Sequence, residues 1–197
     1  MRDVNRLNKA LKQLKSRTSN ITFPNLNKKQ LSIRLYTDES FKNLPNGGSQ
    51  GGQIILLRDN DQRSCPLAWN SARIKRVVRN TLAAETLSLA DGASTATYLK
   101  AILSKIFPAM KNVPIDGVTD NQSLYDNLGT SHRTADKGLI IDICCIKEQV
   151  ETNKLTVTWM PGSKQLSNVL TKQGAPSEPL RTVLRQGSLL LSDHKRI

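Results

Sequence analysis

Apolar and polar positions follow two rhythms along this chain. Leu31, Ile33 and Leu35 sit at every second position with polar residues between them. That is the period of a half-buried strand, and it predicts a strand over 31–37. Gln53–Leu57 and Leu67–Asn70 read as two more strands. Between them lie turn-forming stretches, Pro45–Gly52 and Asp59-Asn60-Asp61. Three sequential strands with tight turns predict an antiparallel meander. The rhythm then lengthens. From a capping Asn80 or Thr81 a helix is expected to run to about Ile106, with Glu85 in its first turn. One face is small (Ala83, Ala84, Ser88, Ala90, Gly92, Ala93, Ala96), which lets a helix lie close on a sheet. Leu82, Leu89, Leu99, Ile102, Leu103 and Ile106 supply bulk. Val113–Thr119 returns as a strand, and a strand reached through a crossover helix predicts parallel pairing with the first.

The remaining pattern predicts a short helix over Gln122–Leu128, which Asp120 is placed to cap. A loop over Gly129–Thr134 holds His132 and Arg133, and His132 reads as a loop residue rather than a catalyst. Residues 138–152 form a second strong helix with the stripe Leu139, Ile143, Ile146 and Val150. Lys154–Trp159 alternates as a final strand. After the Pro161-Gly162 turn, Lys164–Thr171 reads as a helix with Leu166, Val169 and Leu170 inward. The chain opens with a basic amphipathic helix over 1–17, carrying Val4, Leu7, Leu11 and Leu14 at helical spacing. Residues 1–30 read as a basic helix and linker, 31–172 as the domain and 173–197 as a tail.

Charge changes this picture most. The formal net charge is +13 over 197 residues, and it is clustered. From Arg2 to Arg34 nine basic residues face Asp3 alone, and Arg73, Lys75, Arg76 and Arg79 form a second group. Such an excess points to a polyanionic partner. No run of 18 apolar residues and no signal peptide is present, so a helical membrane span is excluded and secretion is not expected. Cys65, Cys144 and Cys145 are an odd count, with the adjacent pair in an apolar helical run. They read as reduced, buried thiols of an intracellular protein. The glycines of 47–52 lack the Lys-Ser/Thr pair of a phosphate loop. Asp59-Asn60-Asp61 lacks the spacing and final glutamate of a calcium loop.

Three acids stand out because each falls at an element end. Asp38 is an inward carboxylate where the first strand is ending, Glu85 opens the long helix, and Asp120 follows the fourth strand. A lone carboxylate near a strand core is costly unless a cation meets it. Three such acids suggest a divalent-metal site. Each also has a plain structural reading: a turn acid, a dipole-complementing glutamate and a helix cap.

The element order and the placement of the acids resemble the ribonuclease H fold, an α/β fold. It has a mixed five-stranded sheet, three antiparallel strands and then parallel strands, flanked by helices. Four local words narrow the resemblance. Tyr36-Thr37-Asp38-Glu39-Ser40-Phe41, Leu82-Ala83-Ala84-Glu85-Thr86, Thr119-Asp120-Asn121-Gln122-Ser123-Leu124 and Gln165-Leu166-Ser167-Asn168-Val169-Leu170-Thr171-Lys172 look like the ribonuclease H region of copia-type LTR-retrotransposon polyproteins. The similarity covers roughly residues 31–172, and the 1–17 helix resembles the end of a preceding reverse transcriptase region.

This resemblance implies metal-dependent endonucleolytic cleavage of RNA in RNA–DNA hybrids during reverse transcription. It implies two Mg²⁺ ions, with Mn²⁺ as a substitute, held by Asp38, Glu85, Asp120 and a fourth acid. In the fourth word Asn168 occupies that acid's place. An asparagine offers one neutral oxygen and an NH₂ group, so a weakened site on that side is expected. The implied partners are the hybrid and the reverse transcriptase region of the same polyprotein. The implied setting is cytoplasmic, with virus-like particles as one location. Arg73, Lys75, Arg76 and Arg79 are expected to track phosphates, and Ser40, Asn121, Gln122 and Ser123 to read 2′-hydroxyls. The competing expectation, favoured by Asn168, is a decayed domain that binds nucleic acid or serves as a structural connection.

Overall fold

The structure, a computed structural model, describes residues 2–16, 20–130 and 137–190. Its elements are α1 (Arg2–Ser16), β1 (Leu31–Leu44), β2 (Gly48–Asp59), β3 (Ser64–Arg73), α2 (Thr81–Ile106), β4 (Ile115–Thr119), α3 (Gln122–Gly129), α4 (Lys137–Glu151), β5 (Thr156–Trp159), α5 (Asn168–Thr171) and α6 (Glu178–Gln186). The sheet order is β3-β2-β1-β4-β5. β1 pairs antiparallel with β2, and β2 with β3. β1 pairs parallel with β4, and β4 with β5. The meander and the crossover expected from the pattern are both present.

The first three strands are longer than their apolar runs, and β4 and β5 are two residues shorter than expected. β1 continues past the expected end near Thr37 to Leu44, and it carries Asp38 as the inward carboxylate expected from the sequence. The expected Pro45–Gly52 turn shrinks to a short 3₁₀ turn over Pro45–Gly47, and Gly48 already begins β2. Asp59 ends β2 and is fully buried. Backbone N–H groups of Asn27 and Arg63 and the Arg63 guanidinium donate to its carboxylate. Burial pushes its pKa up, but these donors outweigh it and hold the carboxyl below its ordinary range. This acid organises a turn; it is not part of a calcium loop.

Two apolar layers hold the sheet. On one face Ile33, Leu35, Ile55 and Val157 pack against Ala83, Leu89, Ala93 and Ala96 of α2 and Leu139, Ile143 and Ile146 of α4. The small α2 face has the expected effect. A Cβ on Gly92 would come within 2.7 Å of Thr37 Cγ2 and 3.0 Å of Leu35 Cδ1. Toward the helix end the expectation fails, because Ile102 and Ile106 are exposed. Cys144 and Cys145 are also exposed, not buried, since the inward stripe of α4 runs through their neighbours Ile143 and Ile146.

On the other face Tyr36, Ile54, Leu56 and Val118 meet Met160, Leu166, Val183 and Leu189. The segment expected to be a tail therefore supplies core residues, Val183 from α6 and Leu189 from just beyond its end. Ser188 bridges to Arg63, and Thr22 N–H and hydroxyl donate to the carbonyls of Leu184 and Arg185. The expected Lys164–Thr171 helix is instead a 3₁₀ turn over Gly162–Lys164 and the single turn α5. Residues 165–167 leave the helical path because their polar groups bind elsewhere. Gln165 Nε2 donates to Thr37 O (2.9 Å), and Ser167 Oγ donates to Gln165 Oε1 (3.0 Å).

Of the basic α1 helix, Val4, Leu7 and Leu11 are exposed. No helix among the described residues is long and apolar enough to cross a membrane. The expected loop at Gly129–Thr134 falls, beyond Thr130, outside the described residues; His132 and Arg133 belong to that part, as Arg17 and His194 do to others.

Candidate metal centre

Asp38 is carried by the middle of β1, where its partner across the ladder is Gly52 of β2; Glu39 opposes Gly51. These two glycines explain how helices reach the strand from both faces. A Cβ on Gly51 would lie 2.7 Å from Ser88 Oγ of α2. One on Gly52 would lie 2.8 Å from Thr171 Cγ2 and 2.9 Å from Leu170 Cβ of α5. Side chains alternate across a strand, so adjacent glycines open opposite faces. The glycines read from sequence as turn formers are close-approach positions at the site.

α2 starts at Asn80, whose side chain accepts from Ala83 N–H (2.8 Å). This start puts Glu85 in the second turn rather than the first, so the helix-dipole reading of Glu85 does not apply. Glu85 is buried instead, with Oε2 lacking a hydrogen-bond partner. Asp120 follows β4. Asn121, not Asp120, caps α3, accepting from Leu124 N–H (2.9 Å), which leaves the Asp120 carboxylate unused by the cap. Gly162 makes room for it, since a Cβ there would stand 2.8 Å from Asp120 Oδ2.

One carboxylate oxygen from each of Asp38, Glu85 and Asp120 lies within 4.8 Å of the others. Such crowding shows in their acidity. Burial first, then repulsion from Asp120, Asp38 and Glu39, pushes Glu85 well above the usual carboxylate range. Burial and Asp38 raise Asp120. Burial, with Asp38 and Asp120 against it, pushes Glu39 up to about 7. Glu39 is a further buried carboxyl beside the cluster, and its Oε2 has no hydrogen-bond partner.

One cation faces this group among the described residues. Lys172 Nζ donates to Asp38 Oδ1 (2.8 Å) and to Asn168 Oδ1 (2.8 Å). Burial pulls the Lys172 pKa down, but Asp38, Asp120 and Glu85 outweigh it and leave it raised. Thr171 Oγ donates to Asp38 Oδ2. Asn168 thus stands beside the acids, and Lys172 joins it to Asp38. The donor set fits a divalent cation: hard oxygens, mutually repelling, with a buried carboxylate oxygen on Glu85 that no described residue satisfies.

The expected nucleic-acid residues are less uniform. Arg73, Lys75, Arg76 and Arg79 are all exposed. Arg76, however, is held by Asp142 of α4 through Nη1 (2.9 and 2.8 Å) and by Gly138 O. Arg73 lies along Gly48, where a Cβ would meet its guanidinium at 2.7 Å. Gln122 Nε2 donates to Asp126 (2.6 Å), Asn121 is spent on its cap, Ser123 is exposed and Ser40 is half-buried. Sequence reasoning assigns no role to Glu39, Lys172, Thr171 or Gln165. The last two residues of the fourth motif, Thr171-Lys172, carry the available signal: a hydroxyl and a cation three and four residues after the position of the fourth acid.

The five-stranded order, the crossover helix and the acids at β1, α2 and the end of β4 define a ribonuclease H fold. Solved structures agree on that fold. The N-terminal RNase H domain of Rv2228c from Mycobacterium tuberculosis superposes with a TM-score of 0.53 at 13% identity, over 77% of this chain and 96% of that one. LC11-RNase H1, isolated from compost by a metagenomic approach and solved in complex with an RNA/DNA hybrid, gives 0.50 at 16% identity, over 71% and 93%. In sequence the chain is similar to the retrovirus-related Pol polyprotein from transposon RE2 of Arabidopsis thaliana, 26% identical over 151 residues. That match takes in 72% of this chain and 10% of the relative. The chain thus spans about a tenth of the length of the curated relatives it matches. No protein-family model matches it. The fold is thus that of ribonuclease H, and the sequence is similar to retrotransposon Pol polyproteins.

Proposed function

We propose that this chain is a metal-dependent endonuclease that cuts the RNA strand of RNA–DNA hybrids during reverse transcription of a copia-type element. The observation that carries the reading is the convergence of Asp38, Glu85 and Asp120 within 4.8 Å on three different elements. Asp38, Glu85 and Asp120 would hold Mg²⁺, or Mn²⁺ in its place. A divalent ion bound there supplies Lewis acidity toward the scissile phosphate. The chain's own residues do the rest. The three carboxylates fix the cation, and Thr171 and Ser88 fix Asp38, through its Oδ2 and its carbonyl. Lys172 offers positive charge to the phosphate. Arg73, Lys75 and Arg79 give the duplex backbone sequence-independent affinity. Arg76 contributes less, since Asp142 already neutralises it.

A second reading, hybrid binding without cleavage, is favoured by the commitment of Asn168 to protein partners at both ends of its amide. One assay separates the two: cleavage of an end-labelled hybrid with Mg²⁺ and with Mn²⁺ by the chain, by Asp38→Asn and by Asn168→Asp. Metal-dependent cutting that Asp38→Asn removes is expected. If neither the chain nor Asn168→Asp cuts, while hybrid is still retained at moderate salt, the binding reading replaces the first.

A further inference from the structure

The position of the fourth acid is neutral in this chain, and a built arrangement surrounds it. Asn168 Nδ2 donates to Gly162 O (2.7 Å), while Asn168 Oδ1 accepts from Lys172 Nζ. An aspartate has no N–H for the first bond and would set a carboxylate oxygen against a carbonyl. The i, i+4 spacing brings Asn168 and Lys172 side by side. Lys172 Nζ then reaches Asp38 Oδ1, and Thr171 occupies Asp38 Oδ2. The five residues 168–172 therefore bring a fixed positive charge to the buried carboxylate at the centre of the cluster.

We propose that the Lys172 ammonium is the second cation of this site, in place of a second divalent ion, so that the centre takes one ion. The inference rests on the metal-dependent reading above and changes its ion count. Charge supports it. The three carboxylates whose oxygens converge, Asp38, Glu85 and Asp120, bring three negative charges and Lys172 one positive, which leaves two, the charge of one divalent ion; Glu39, next to Asp38 on β1, alternates to the other face and is not in the convergent set. Chemistry supports it as well. An ammonium has three N–H donors, and two of them are used on Asp38 and Asn168. The third remains for a phosphate oxygen, toward which lysine acts as a compact point charge. In the hydrolysis a water O–P bond forms and the P–O3′ bond breaks. The water's proton passes to solvent, and the 3′ oxygen takes one from solvent. Lys172 stays an ammonium throughout and offsets the charge that builds on the phosphate.

The test uses the full chain, Lys172→Met, Lys172→Arg and the double variant Asn168→Asp/Lys172→Met. Thermal melts first confirm folding; Lys172 is 44% exposed, so its truncation leaves the core intact. Bound Mn²⁺ is counted by the electron paramagnetic resonance signal of free Mn²⁺. One ion per chain is expected, roughly fivefold tighter in Lys172→Met, where a like charge is gone, and two ions in the double variant. Initial cleavage rates below saturation should rise with the first power of Mg²⁺ for the chain and for Lys172→Arg, and with the second power for the double variant. Two ions in the unaltered chain, or one in the double variant, overturn the role of Lys172 while the metal-nuclease reading stands. One ion with no hybrid cleavage sinks the nuclease reading and leaves the ion count supported. No Mn²⁺ on any form overturns both.

Discussion

Strand β1 buries charge twice on the same face, four residues apart, with opposite outcomes. At one end Arg34 is buried, and its guanidinium is matched by Asp116 on β4, which Thr158 on β5 also supports. At the other end Asp38 is equally buried but surrounded by Glu85, Asp120 and Glu39, with the half-exposed Lys172 as its cation. The first site resembles an ion pair kept for structure, since breaking such a pair leaves an uncompensated charge. The second keeps its imbalance. Like charges crowded in one place cost stability unless something cationic is regularly supplied, and that is the mark of a functional site. Burial does not distinguish the two ends; the sign of the neighbours does.

The comparison can be broken most forcefully at its matched end. Arg34→Ala is expected to cost about 3–5 kcal/mol of stability by removing the buried guanidinium that pairs with Asp116. Denaturant titration measures this, and a loss under about 1 kcal/mol would remove the distinction between the two ends. At the mismatched end Asp38→Asn should lower hybrid cleavage by roughly 10²–10³-fold while sparing the fold, as removal of one transition-state contact does elsewhere. Glu85→Gln sharpens the contrast, because it should raise metal-free stability by about 1 kcal/mol as repulsion is relieved, yet weaken Mn²⁺ binding.

A pH series probes Glu39, whose carboxyl is raised from 4.5 to about 7. The folded chain binds more protons than the unfolded chain between those values, so the stability from this group is complete below about pH 4.5. It should be lost as the pH rises through about 7, by an amount on the order of 1–2 kcal/mol without metal, and Mg²⁺ should flatten the slope. Arg76→Ala is the smallest effect, under about 1 kcal/mol, because its pair with Asp142 is exposed on the arginine side.

Much of this architecture is legible from the residues. Apolar runs bounded by turns locate all five strands, two of them by period-2 alternation, and small residues on α2 foretell its close approach to Thr37 and Leu35. The acids Asp38, Glu85 and Asp120 can be nominated because acids are conspicuous at element ends. Long-range side-chain contacts are not legible. Polar residues inside a strand, as at Asp38 and Glu39, are permitted by the approach of α2 and α5, which no local period encodes. Gly51 and Gly52 look like a turn in sequence and behave as openings, because what decides between the two is the helices that approach them. Helix α6 reads as a tail because its partners, Thr22 and Arg63, lie far away in the chain. Exposure of Cys144 and Cys145 turns on the rotation of α4 by part of a turn, a finer phase than an apolar average resolves.

The pairing of Thr22 with Leu184 and of Leu189 N–H with Gln62 O has a mechanical meaning. The segment leading to β1 and the exit from α6 are buckled together beside β3. Tension applied to the chain on either side would be borne first by this buckle and only afterwards by the ladder that carries Asp38. The cluster would keep its spacing while the flanking chain is pulled, bent or threaded. A domain so fastened can sit between moving neighbours without passing their motion to its acids.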